Sequence, residues 1–366
     1  MKRSLILFFV FALSLSYNAI SNEEIEIDMS AYVDTYIATD NDHRPDNGSE
    51  SYYMHRQFSY INGQKNNFSI NTAQIGAKMN YQDFIRGVVT FHYGDLPSQA
   101  FSMPGSGNIL QEGYIGIRVI DDLWIDAGYF LTHIGGESLL PKDNWLSSHS
   151  MVTYVEPFFH SGVKATYDNG TFSAGLHFLN SGYSFVENND NKTFGYNAGY
   201  SAGDIFSISI AGMIGNEEDG PPYNAKTNLY NNICIESHPN EKLGLKAQID
   251  IASLEDSYSG EGEIEAATYM GFSVQGRYQL LEKFAAAARF AYFDDTKNYA
   301  GIGASGMGIT AGMEYQPTSF SYIRLEGRML NFDDSDDSDG NQFHDADGEL
   351  TNSRMEIMIN FGVFID

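Results

Sequence analysis

The sequence predicts an all-β chain: an antiparallel transmembrane β-barrel of about sixteen strands, with fourteen to eighteen compatible, carrying short periplasmic turns and long extracellular loops. Three observations predict it. Apolar side chains fall at every second residue through segment after segment, which is the period of a strand with one greasy face. Tight turns alternate with long polar stretches, as the two rims of an outer-membrane barrel require. Tyrosines gather at strand ends.

The N-terminus predicts export. Lys2 and Arg3 precede an apolar run from Leu5 to Leu15, and Ala19-Ile20-Ser21 offers small residues at a cleavage site before Asn22-Glu23-Glu24. This three-part pattern is that of a secretory signal peptide over 1-21, leaving 22-366 as one barrel domain. Beyond Ser21 no long uncharged apolar run remains. An exported chain of this kind crosses a membrane with strands or not at all.

The alternation is plainest in the second half. Leu243, Leu245, Ala247, Ile249 and Ile251 sit opposite Lys246, Gln248 and Asp250; Met270, Phe272, Val274, Gly276 and Tyr278 sit opposite Ser273, Gln275 and Arg277. Phe284 to Tyr292, Met307 to Tyr315, Ile323 to Met329 and Met355 to Ile365 repeat it, as does Leu123 to Tyr129. Charges keep off the apolar phase throughout. The strand at 158-167, following Pro157, is the least regular.

Connections then separate a membrane barrel from a soluble sandwich. Turn-type sequences stand at Asn80-Tyr81-Gln82-Asp83, Asp121-Asp122, Asp168-Asn169-Gly170, Gly203-Asp204, His238-Pro239-Asn240-Glu241, Leu280-Leu281-Glu282 and Gln316-Pro317-Thr318. Between them lie polar segments at 39-66, 94-108, 132-150, 180-192, 215-226, 253-264, 294-303 and 331-350. Such a set of short turns and long loops joins sixteen strands, a size whose lumen is an aqueous channel. Tyr93, Tyr129, Tyr167, Tyr200, Tyr278, Tyr292 and Tyr315 occupy strand ends on the greasy phase, where an aromatic girdle meets lipid headgroups.

Composition excludes other classes. The 366 residues hold 21 Lys+Arg against 48 Asp+Glu, a formal charge of -27, which is the wrong sign for nucleic acid. Loss of 1-21 removes two cations and no anions. Cys234 is alone, so no disulfide framework or cysteine-rich zinc module fits, and no cofactor is expected. Gly301-Ile302-Gly303-Ala304-Ser305-Gly306 spells a dinucleotide fingerprint but opens a strand, leaving a phosphate no helix N-terminus.

One stretch resembles a known family. Leu123-Trp124-Ile125-Asp126-Ala127-Gly128-Tyr129-Phe130-Leu131-Thr132-His133-Ile134-Gly135-Gly136-Glu137, followed by Ser148-His149-Ser150 and Pro157-Phe158-Phe159-His160-Ser161-Gly162-Val163, is similar to the OmpL-like β-barrel porin family. Ala31-Tyr32-Val33-Asp34-Thr35-Tyr36, Asn67-Phe68-Ser69-Ile70-Asn71 and Asn191-Lys192-Thr193-Phe194-Gly195 resemble further parts of it. The resemblance covers about residues 26-215. It implies a Gram-negative outer-membrane porin, embedded in lipid by the barrel-insertion machinery, passing small hydrophilic solutes and ions by diffusion and without enzymatic chemistry. Porins of this size are often homotrimers. The chain ends Phe364-Ile365-Asp366 where such barrels usually end in an aromatic residue. The rival reading is a non-conducting barrel that binds partners through acidic loops.

Residues opposite the greasy face are expected to line the lumen: Lys78, Arg86, Arg118, Asp126, Lys164, Asp250, Arg277, Arg289, Glu314, Arg324, Glu326, Arg328, Arg354 and Glu356. Solvated there, they either set a transverse field or simply keep the wall wet. The loop from His133 to Ser150 is the expected constriction, bringing Glu137, Lys142 and Asp143 towards Arg86, Arg118 and Arg289. The last long loop concentrates Asp333, Asp334, Asp336, Asp337 and Asp339 without a compensating cation. It is either a solvated acidic loop or a surface site for divalent cations such as Ca²⁺, although it lacks EF-hand spacing.

Overall fold

The computed structural model describes residues 25–43, 56, 58–101, 109–186, 191–216, 226–258, 264–333 and 343–366. The expected signal peptide, 1–21, and most of the acidic run, Asp334 to Asp339, lie outside them.

Sixteen antiparallel strands close one barrel. They are β1 (Ile25–Asp40), β2 (Phe68–Tyr81), β3 (Ile85–Tyr93), β4 (Leu110–Ile120), β5 (Leu123–Leu131), β6 (Phe159–Asp168), β7 (Phe172–Leu179) and β8 (Thr193–Ser201). The second half comprises β9 (Phe206–Asn216), β10 (Thr227–Asn240), β11 (Leu243–Tyr258), β12 (Glu265–Leu281), β13 (Phe284–Asp294), β14 (Ser305–Thr318), β15 (Ser321–Phe332) and β16 (Ser353–Ile365). Each strand pairs with its neighbours in sequence, and β1 pairs with β16 from Ala31↔Ile365 to Asp40↔Glu356, so no edge is left open. Closure lets the wall's backbone groups pair within the sheet, which hydrocarbon demands.

Burial is inverted relative to a soluble protein. In β14 and β15 Met307, Ile309, Met313, Ile323 and Leu325 are exposed, whereas Thr310, Glu314, Arg324, Glu326 and Arg328 between them are buried. The exposed phase is the one the sequence pattern marks as greasy. Short turns follow local chemistry: Asp122 and Gly170 take positive φ (64° and 81°), and Asp168 accepts the Gly170 N–H at 2.8 Å.

Boundaries differ from expectation in two places. β11 runs on to Tyr258, because its ladder with β12 continues past Leu254 to pair Tyr258 with Glu265. The third long connection runs to Phe158, not Ser150, since Met151–Val155 coils into a short helix, α2, after an earlier one, α1 (Asp95–Ala100). Among the tyrosines, Tyr93, Tyr200 and Tyr278 are exposed at strand ends, but Tyr129 turns onto Phe185 at 4.7 Å and packs with the loops.

The loops fill much of the interior. One apolar cluster joins Phe58, Ile134, Met151 and Val155 to the wall residues Met213, Tyr230, Tyr269, Phe293 and Phe332. A second joins Ile61, Leu96, Phe101, Leu139, Leu140 and Phe185 to Tyr32 and Tyr322. Loops as greasy as these have nowhere else to bury their side chains than inside the barrel.

Candidate functional site

The connection 132–158 leaves β5 and crosses to the far wall. Gly135 has φ 108°, and a Cβ there would collide with the Glu156 carboxylate, so glycine lets the two ends of the loop pass. Gly136 donates to Gln248 Oε1 (3.0 Å) and accepts from Lys246 Nζ (3.0 Å), both on β11. Farther along, Ser147 N–H donates to Glu326 of β15 (2.7 Å), and Arg324 donates to the Pro141 carbonyl (2.6 Å). Ser150 caps α2 by accepting the Thr153 N–H at 3.1 Å, and Gln248 bonds Glu156 beyond the helix.

Glu137 is the loop's central anchor. Its carboxylate pairs with Arg289 of β13 at 2.6 Å and accepts from Ser150 N–H and Thr153 Oγ1, each at 2.8 Å. Burial alone would raise its pKa, but Arg289 and these donors hold it down to about 2. At the loop's start His133 stacks on His177 of β7 (3.9 Å between rings), with His160 of β6 beside it at 5.1 Å. Burial and the neighbouring His177 push His133 down to about 3, so this imidazole is neutral at ordinary pH.

The first long connection is anchored as well. Arg56 bonds Asp40 at 2.8 Å and reaches Glu356, which also meets Arg354 at 2.5 Å and Arg328 at 3.7 Å. Burial of so much charge is tolerated because each carboxylate is paired and hydrogen-bonded.

On the side of β3 to β8, register brings one row of lumen positions to a common level: Arg86, Gly116, Asp126, Lys164, His177 and Gly195. Arg86 grips Asp126 with two hydrogen bonds (2.7 and 2.6 Å) across Gly116, where any Cβ would strike the carboxylate. Gly195 leaves the space into which His133 stacks, since a Cβ there would lie 2.6 Å from His133 Cε1.

The predicted lining residues thus fall into two groups. Asp126, Asp250, Arg289, Glu314, Arg324, Glu326, Arg328, Arg354 and Glu356 are buried, and Arg277 pairs with Glu314 at 3.0 Å. Solvation by channel water, expected of all of them, is corrected for the nine buried ones, which pack against each other and against the loops, while Arg277 stays half-buried. Lys164 and Arg118 are half-buried and Lys78 is exposed. The loop's expected targets are corrected too. Glu137 reaches Arg289, but Lys142 turns to Asp366 (2.8 Å) and to Asp143 (3.2 Å), away from Arg86 and Arg118. Arg86 already has Asp126 and offers no unmet charge. Of the acidic run, Asp333 is described and accepts from Ser305 Oγ at 2.7 Å. Among the described residues no three His, Cys, Asp or Glu side chains are grouped to hold a metal ion. The segment 301–304 is closed to phosphate, because Asp295 accepts the Ala300 and Ile302 N–H groups at 2.9 and 2.8 Å.

Sequence reasoning missed the histidine stack and the Arg56 anchor. His133, His160 and His177 are far apart in sequence, and only the β5-β6-β7 register brings them together.

A family model described as "Putative beta-barrel porin-2, OmpL-like" matches residues 26–364. No functionally curated protein matches the chain by sequence. Among solved structures, a loop L8 deletion mutant of the Vibrio cholerae outer membrane protein OmpT superposes with a TM-score of 0.61 at 14% identity, covering 94% of this chain and 100% of that one. An anion-selective porin from Comamonas acidovorans gives 0.58 at 10% identity, covering 93% and 100%. The outer membrane channel DcaP of Acinetobacter baumannii gives 0.58 at 11% identity, covering 93% and 98%. At such identities these likenesses establish the fold alone.

Proposed function

The chain belongs to the OmpL-like β-barrel porin-2 family, and from that premise we propose that it is an outer-membrane porin through which small hydrophilic solutes and ions diffuse passively. The observation that carries this reading is the inverted wall: an apolar surface offered to lipid around a polar lumen. The loop at 132–158, pinned to β11, β13 and β15, narrows that lumen. Solutes would be sorted by size and by the charges still facing water there.

In this reading the leader is cleaved near Ser21, the short turns face the periplasm, and the long loops, with their acidic run, face outward. The folded chain sits in lipid, inserted by the cell's barrel machinery, and assembles as a homotrimer. Planar-bilayer recording of the purified, folded protein tests the function. Discrete conductance steps are expected, and a bilayer that stays sealed while the protein shows heat-modifiable migration would reject a pore.

A second reading has its own observation. Two apolar clusters built largely from loop residues occupy the interior, as they would in a closed barrel that displays loops for binding. A sealed bilayer would favour it.

A further inference from the structure

Around the lumen wall the cations differ in one respect. Arg289, Arg324, Arg277, Arg354 and Lys246 each meet a carboxylate within 3.0 Å. Lys164 meets none. Its Nζ stands over the rings of Phe130 (4.4 Å) and Tyr114 (5.1 Å), makes no hydrogen bond among the described residues, and is not among the sealed, partnerless atoms of the interior. Of the two acids near it, Asp126 holds Arg86 with both oxygens, and Glu112 accepts the Leu131 N–H at 3.3 Å without coming into ion-pair contact with the ammonium. Its level-mate across the ladder is His177, part of the imidazole stack.

From Lys164 towards the short-turn rim the wall stays open. Arg118, Trp124 and Thr166 there are half-buried, in contrast to the buried Thr310, Glu314, Arg324 and Glu326 of β14 and β15 under the loop. The loop's acids are engaged elsewhere: Glu137 pairs with Arg289, Asp143 with Lys142, and Glu156 bonds Gln248. Aromatic faces hold the ammonium in place by cation–π attraction without neutralising it. Its three N–H donors are thereby left for whatever passes.

We propose that Lys164 is the specificity-determining residue of the pore, a binding point for the carboxylate or phosphate of permeating solutes, so that the channel favours anions although the chain as a whole is acidic. The assignment rests on the pore reading above. It also gives the acidic outer loops and the pore opposite roles, since the loops would gather cations that the lumen then disfavours.

Reversal potentials in a KCl gradient across a planar bilayer test it, with heat-modifiable migration as the control for folding. The wild type should prefer chloride. Lys164→Glu should lower the chloride-to-potassium permeability ratio by about threefold or more, Lys164→Met should fall between, and Lys164→Arg should keep the wild-type value. Lys164→Met, which fits between the same rings, keeps the test open if the glutamate variant fails to fold. A cation-preferring wild type, or folded variants with the wild-type reversal potential, overturns the assignment while leaving a pore. Absence of any steps in the wild type overturns the pore and the assignment together.

Discussion

Glu137, in the loop after β5, and Arg289, in the middle of β13, meet at 2.6 Å with side-chain exposures of only 2% and 1%. A charge pair so deeply enclosed ties a loop to the opposite wall of the barrel. Its net contribution is small next to the cost of breaking it, because the surviving partner would remain buried without a counter-charge.

Arg289→Met should therefore release the loop, at a cost of about 3–5 kcal/mol to its docked state. Single-channel records should show larger or noisier steps than wild type. Adding Glu137→Gln to the same chain should restore most of the quiet, since the stranded carboxylate is gone. Equal noise in the single and double variants would show that the pair does not hold the loop.

Acid should loosen the loop at its other end first. His133 has its pKa lowered, so the folded state binds fewer protons than the unfolded state below the ordinary histidine value. Stability is then full above about pH 6.5 and falls as pH drops towards about 3, by at most about 1.4 kcal/mol per pH unit. Glu137, lowered to about 2, stabilises above the ordinary carboxylate range, and its share is lost only as pH falls from about 4.5 towards 2. Denaturation midpoints measured from pH 7 to pH 4 should thus fall in the wild type and stay flatter in His133→Phe. Parallel slopes would remove His133 from the account.

Closure of the barrel depends on a glycine. The Tyr322 ring lies over Gly362 of the next strand, and its hydroxyl donates to Asp34 of β1 (2.5 Å) beside Asn360, which donates to Asp34 at 3.1 Å. A Cβ at 362 would collide with the ring. Gly362→Ala should cost about 1–3 kcal/mol through overpacking, read as a lower urea midpoint for the heat-modifiable form. Tyr322→Phe should cost less, because Asp34 keeps its bonds from Asn71 and Asn360.

The two faces of β14 should respond oppositely to charge. Ile309 is 46% exposed on the greasy phase, and Ile309→Lys should cost about 2–4 kcal/mol in lipid. Lysine at the neighbouring lumen position Thr310 would instead crowd Arg289, which donates to Thr310 at 3.2 Å, and should disturb conductance more than insertion. The comparison needs only folding yields in vesicles and bilayer records.

The wall was legible in the sequence because a strand of period two, one face in lipid and one in a polar lumen, writes its environment into every second residue. Leu243 to Ile251 and Met355 to Ile365 show it without any knowledge of their partners. Turns such as Asp168-Asn169-Gly170 were legible for the same local reason. Which charges stay wet was not. Arg86 and Lys164 look alike as lumen cations, yet Gly116 gives one of them a carboxylate and Tyr114 and Phe130 give the other only ring faces. Sequence alone determined an antiparallel barrel of about sixteen strands with its greasy face outward. Only the tertiary structure decided that the loop after β5 spends Glu137 on Arg289, because ion pairing depends on a few ångströms between segments about 150 residues apart, and alternation carries no information about distance across a barrel.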